Sequence, residues 1–179
     1  RNGTSLILSA VATPDNLDDV AAVLRFALSH GLGLHLSPEI QGRTAHPALR
    51  DNPRYQALVD EAAAAKQDGA AVLGVMSYLR GIRDFTPFIC HPLLMPVIRP
   101  DGRLYYPCLE NKQAEIDILE AGSYERALAL AEKRHGGIPA CGNCCHIFCH
   151  MGLSLLQRRP LEALREGRHW RAIRRHRGA

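Results

Sequence analysis

SLILSAVATPDNLDDVAAVLRFALSHGLGLHLSPE, residues 5–39, changes hydrophobic period twice, and that change decides the fold. Residues 5–13 are a nearly continuous apolar run of strand length. Asp15 and Asn16 then stand where a helix N-cap belongs. Val20, Val23, Leu24 and Leu28 follow at three- and four-residue spacings, so 17–28 is expected to be an amphipathic helix. His30-Gly31 closes it, with glycine suited to the left-handed cap. From 32 to 39 the period is two: Leu34 and Leu36 alternate with His35, Ser37 and Glu39. A strand–helix–strand unit of this length implies parallel strands joined by a right-handed crossover.

The alternation in the second strand separates two faces. Leu34 and Leu36 are expected to meet the outer helix, and His35, Ser37 and Glu39 to look the other way. In an α/β barrel that other side is the lumen, whose carboxyl end holds the active site. Further on, 41–52 carries Gly42, Pro47 and Asn52 and is expected to be a loop. Residues 55–66 form an Ala-rich helix capped near Asn52 and Pro53. Asp68-Gly69 breaks that helix, and 70–83 is expected to be helical again, with Val72, Leu73, Val75, Met76 and Leu79 as core.

From Phe85 the pattern changes. Pro87, Pro92 and Pro96 break helices, and Pro100-Asp101-Gly102 sits between Met95-Pro96-Val97-Ile98 and Arg103-Leu104-Tyr105-Tyr106, a β-hairpin signal. A helix at 123–134, capped by Ser123, leads to a cysteine cluster and terminal helices. The expected division is 1–86, 87–150 and 151–179.

The chain of 179 residues has a formal charge of +4, unevenly spread. Residues 151–179 hold eight Arg against Glu162 and Glu166, so the rest is net acidic. This basic tail reads as a solvated helix. No secretory signal is visible and no apolar run is long enough to span a bilayer, so the expectation is a cytoplasmic protein. The strand that begins almost at Arg1 suggests that sequence upstream belongs to the same fold.

Six cysteines are present, four of them within Cys141, Cys144, Cys145 and Cys149. A chain with enough apolar residues for a core needs no disulfide staples, and a local Cys/His cluster then points to metal. Cys90 precedes the hairpin, Cys108 follows it, and Cys141-Gly142-Asn143-Cys144 is a C-x-x-C knuckle. Four thiolates suit an iron–sulfur cluster. Cys90, Cys108, Cys141 and Cys144 are the expected set, with Cys145 and Cys149 able to substitute. Zinc accepts the same thiolates, with His146 or His150 as nitrogen ligands. A thioredoxin-like use of the knuckle needs it after an early strand, and here it lies late.

The run from Cys90 through Val97-Ile98-Arg99-Pro100-Asp101-Gly102-Arg103-Leu104-Tyr105-Tyr106-Pro107-Cys108, followed by Cys141-Gly142-Asn143-Cys144, resembles the auxiliary-cluster region of radical SAM enzymes, the SPASM or Twitch extension. Five residues separate Gly102 from Cys108, one more than that pattern usually has. The resemblance implies the C-terminal strand–helix units of a partial (β/α)6 TIM-type barrel. A small Cys-rich hairpin and helix extension with one auxiliary [4Fe–4S] cluster follows them. It also implies S-adenosylmethionine as a cofactor of the whole enzyme, with His35, Ser37 and Glu39 as candidate contacts. The substrate, a peptide or a small molecule, is not specified. The family's C-x-x-x-C-x-x-C motif does not occur in this chain, so the chain by itself is not expected to cleave S-adenosylmethionine. The alternative is a zinc-binding module whose Arg168, Arg171, Arg174, Arg175 and Arg177, with Trp170, contact nucleic acid. The arginines follow the cysteines and do not interleave with them, which makes nucleic acid the weaker expectation.

Overall fold

A computed structural model describes residues 6–110, 114–136 and 145–178. The first unit follows the sequence pattern. Strand β1 (Ile7–Ala12) leads through helix α1 (Leu17–Ser29) to strand β2 (Gly33–Pro38), which pairs parallel to β1 in the register Ser9 with His35 and Val11 with Ser37. Asn16 does not cap α1 with its side chain. It closes the preceding turn instead, Oδ1 accepting from Thr13 N–H at 2.8 Å and Nδ2 donating to Val11 C=O at 3.0 Å. Leu17, Val20, Leu24 and Ala27 are the buried stripe of α1, and Val23 is turned outward.

Leu34 and Leu36 are each 1 % exposed and face the helices, as their alternation predicts. Helix α2 (Pro53–Gln67) begins at Asn52, whose Oδ1 accepts from the backbone N–H groups of Arg54 and Tyr55. The segment expected to be a plain loop contains a small hairpin, β3 (Ile40–Gln41) with β4 (Thr44–Ala45). Its turn uses Gly42 at a φ of 66°, a left-handed conformation that glycine adopts at no steric cost.

The expectation of one helix over 70–83 is corrected. Residues 70–75 are not helical, and Val72 bridges Leu34 in parallel, with Leu34 N–H on Ala71 C=O and Leu73 N–H on Leu34 C=O. Only then does helix α3 (Met76–Asp84) start. Gly74 at a φ of 100° makes the break. The chain thus runs β1, α1, β2, α2 and a third parallel segment, each beside the one before. Salt bridges Arg25–Glu61 and Arg54–Asp18 lie across α1 and α2. The opposite face of the strands carries Ile7, Ser9 and Val11, all exposed.

Two apolar clusters form. The larger joins β1, β2 and α1 to α3 with Tyr55 and Tyr78 at its centre, and each phenol finds a buried carbonyl: Tyr55 on Ile82 and Tyr78 on Leu36. The smaller lies under an antiparallel sheet of β5 (Val97–Ile98), β6 (Arg103–Tyr106) and β7 (Ala114–Asp117), where Leu104, Tyr106 and Ile116 meet Ala127 and Ala131. Those alanines belong to α5 (Tyr124–His135), which follows the single turn α4 (Ile118–Ala121) and is capped by Ser123 as expected. Helix α6 (Phe148–Arg158) returns to the larger cluster, and α7 (Pro160–Gly178) ends the chain. The molecule is a mixed α/β protein. Among the described residues no helix is long and apolar enough to cross a membrane.

Candidate metal centre

Helix α6 is fixed before it offers any ligand. Phe148 lies edge-on to Tyr78 with ring centroids 5.0 Å apart, and 4.7 Å from His35. Met151 is 1 % exposed and lies over Gly81, where an added Cβ would stand 2.0 Å from the Met151 Cε. One turn further on, the fully buried Ser154 accepts a hydrogen bond from His91 N–H at 2.8 Å. Just before the helix, His146 reaches Thr86 C=O at 3.0 Å and lies against Phe85 and Phe88. Glycine at 81 lets α6 approach α3 closely.

His150 stands on the same face of α6 as Ser154, because i and i+4 are neighbours on a helix. It is buried, and its Nε2 lies 2.7 Å from the Glu110 Oε2. Its Nδ1 is buried without a partner. Glu110 comes from the turn after β6, two residues beyond Cys108. One donor atom from each of Cys108, Glu110 and His150 falls within 4.8 Å of the others. A thiolate, a carboxylate and an imidazole match zinc or another divalent transition metal, at roughly 2.0–2.3 Å per bond. The partnerless Nδ1 and the close donors fit a metal-binding role. Three protein ligands leave one position of a tetrahedral ion for a fourth group.

The expected ligands divide as follows. Cys108 is in this group, and so is His150, which the sequence offered as a nitrogen ligand. Cys90 is half-buried against the larger core, next to the residue that bonds Ser154. Cys145 is buried in that core, and Cys149 lies on α6 beside Tyr78. Burial pushes the Tyr78 phenol well up, and the nearby Cys149 sulfur adds to the effect. All four are thiols without disulfide bonds. Cys141 and Cys144 lie outside the described residues. Glu110 was not foreseen, because one acid two residues after a cysteine is no pattern; only its place in the fold gives it a role.

The other expected contacts lie on the strand face turned away from α1 and α2. His35 Nδ1 is 3.1 Å from Ser9 Oγ, and its Nε2 is buried with no partner. Burial lowers its pKa, so the ring is held neutral. Ser37 is half-buried two residues on. Glu39 lies past the strand end, its backbone bonded to Ala12 and His46. The structure places His35 and Ser37 on one face, and the ring of Phe148 lies over His35.

Compared with protein-family models, with curated proteins and with solved structures, the chain matches none.

Proposed function

We propose that this chain is the C-terminal part of a radical SAM enzyme and that Cys108 is a thiolate of its auxiliary metal centre. The observation that supports the reading is that Cys108, just after the hairpin, comes close to Glu110 and to His150 of α6 in one group of donor atoms. The succession of parallel segments with α1 and α2 beside one another supports the C-terminal units of a partial barrel. His35 and Ser37 then face its lumen, where S-adenosylmethionine or substrate would lie. An auxiliary [4Fe–4S] cluster would be held by Cys108 with Cys90, Cys141 and Cys144, and Cys145 or Cys149 would substitute. Such a cluster supplies electron transfer or a substrate anchor. The chain's own residues fix the geometry: Ser154 holds the backbone beside Cys90, and Glu110 orients His150.

A second reading, a zinc site, is favoured by the mixed donor set itself, since only one of its three side chains is a thiolate. Its nucleic-acid extension is weaker, because the arginines follow the cysteines without interleaving and Trp170 is half-buried with its Nε1 donating to Glu166 at 2.8 Å.

Anaerobic reconstitution with iron and sulfide, and separately with zinc, tests both. A brown protein with about four irons, lost in Cys108→Ala and kept in Glu110→Gln, supports the cluster. A colourless protein with one zinc, lost in Cys108→Ala and in His150→Ala, supports the zinc site. Metal retained in full by Cys108→Ala would sink both.

A further inference from the structure

Helices α2, α3 and α7 line an open cavity of about 330 Å³, with Lys66, Arg80, Glu162, Arg165, Glu166 and His169 among its walls. Its acids are already used. Glu162 accepts from Ser77 N–H at 3.1 Å and from Arg159 at 2.9 Å. Glu166 accepts from Lys66 at 3.0 Å and from Trp170 at 2.8 Å. The Lys66–Glu166 pair is almost fully buried, with side chains 6 % and 14 % exposed, and Lys66 also donates to Val72 C=O.

The remaining groups are not balanced. Arg80 and Arg165 are exposed to solvent and have no hydrogen-bond or ion-pair partner among the described residues. His169 bonds the backbone of Ala70 through one ring nitrogen, while Nε2 is buried with no partner. Burial and the adjacent Lys66 charge lower the His169 pKa and favour the neutral ring, and a proton held on the nitrogen beside Ala70 leaves the lone pair on Nε2. The cavity therefore offers two solvated guanidinium groups to acceptor oxygens, and one buried imidazole nitrogen to a polar hydrogen.

We propose that this cavity binds a phosphate group, with Arg80 and Arg165 taking its charged oxygens and His169 Nε2 accepting from its P–OH. In its monoanion, the major form below a second pKa of about 6, a phosphate monoester presents both charged oxygens and a hydroxyl. An ionised carboxylate has no proton to give. Guanidinium groups suit phosphate through paired, charge-assisted hydrogen bonds. The proposal is independent of the metal centre and uses none of its residues.

The experiment is titration of the whole chain with inorganic phosphate and, in a second arm, with adenosine monophosphate, at constant ionic strength. Heat is measured by calorimetry, and quenching is followed at Trp170, the single tryptophan, which touches Glu166 in the cavity wall. Saturable binding is expected, weakened about tenfold by Arg80→Ala or by Arg165→Ala, with Arg25→Ala as the unaffected control. Tighter binding of the monophosphate assigns the cavity to a phosphorylated metabolite, and equal binding assigns it to free phosphate. Absence of saturable heat with either ligand overturns the proposal. So does undiminished binding in the Arg80→Ala/Arg165→Ala double variant.

Discussion

Gly81→Ala is expected to reverse its effect depending on what residue 151 is. In an isolated helix the change would stabilise by about 1 kcal/mol, because alanine loses less backbone entropy than glycine. In this fold the new Cβ would lie 2.0 Å from the Met151 Cε, far inside normal contact, and Met151 at 1 % exposure cannot swing into water. Thioether flexibility relieves part of the overlap, but overpacking a filled core costs about 1–3 kcal/mol. The net expectation is destabilisation of about 1 kcal/mol, the difference between these two terms. Met151→Ala alone removes a buried side chain and costs about 2–5 kcal/mol. In that background the obstruction is gone, so Gly81→Ala should stabilise by about 1 kcal/mol. Urea unfolding of the four proteins gives the cycle, and the coupling between the sites should be about 2 kcal/mol. Because His150 precedes Met151, affinity for a metal at the Cys108, Glu110 and His150 group should also fall about tenfold in Gly81→Ala, if that group holds one. Equal destabilisation by Gly81→Ala in both backgrounds would refute the packing of α6 on α3 through these two residues.

Two other expectations follow from single contacts. His35 is held neutral by burial and titrates from 6.5 when unfolded. Its contribution is therefore complete above pH 6.5 and is lost as pH falls below it toward the lower folded value, so melting temperature should drop on acidification, and less steeply in His35→Gln. Ser154→Ala leaves the His91 N–H without its buried acceptor and should cost about 1–3 kcal/mol, read by urea unfolding. Retention of full stability in that variant would mean that water replaces the hydroxyl.

The first parallel pair was legible because its apolar residues alternate where one face is buried and recur at helical spacing in between. The third segment was not. Val72, Val75, Met76 and Leu79 are spaced like a helix face, and a buried strand of a few residues gives the same run of apolar side chains. Gly69 and Gly74, both at positive φ, were the available warning. Strand β7 was missed because Ala-Glu-Ile-Asp contains one strong strand former, Ile116. Cys108 was legible from its place after a turn-marked hairpin. Its partnership with Glu110 and His150 was not, since nothing local ties positions that meet only when α6 folds back.

That folding back has a kinetic meaning. His150 and Glu110 are 40 residues apart in sequence, whereas β1 and β2 are joined by a single helix. Contacts that close long loops form late, so the bonds around Cys108 belong to the native state more than to the folding barrier. A metal ion bound there would then leave the rate of folding almost unchanged and act by slowing the chain's escape from the folded state.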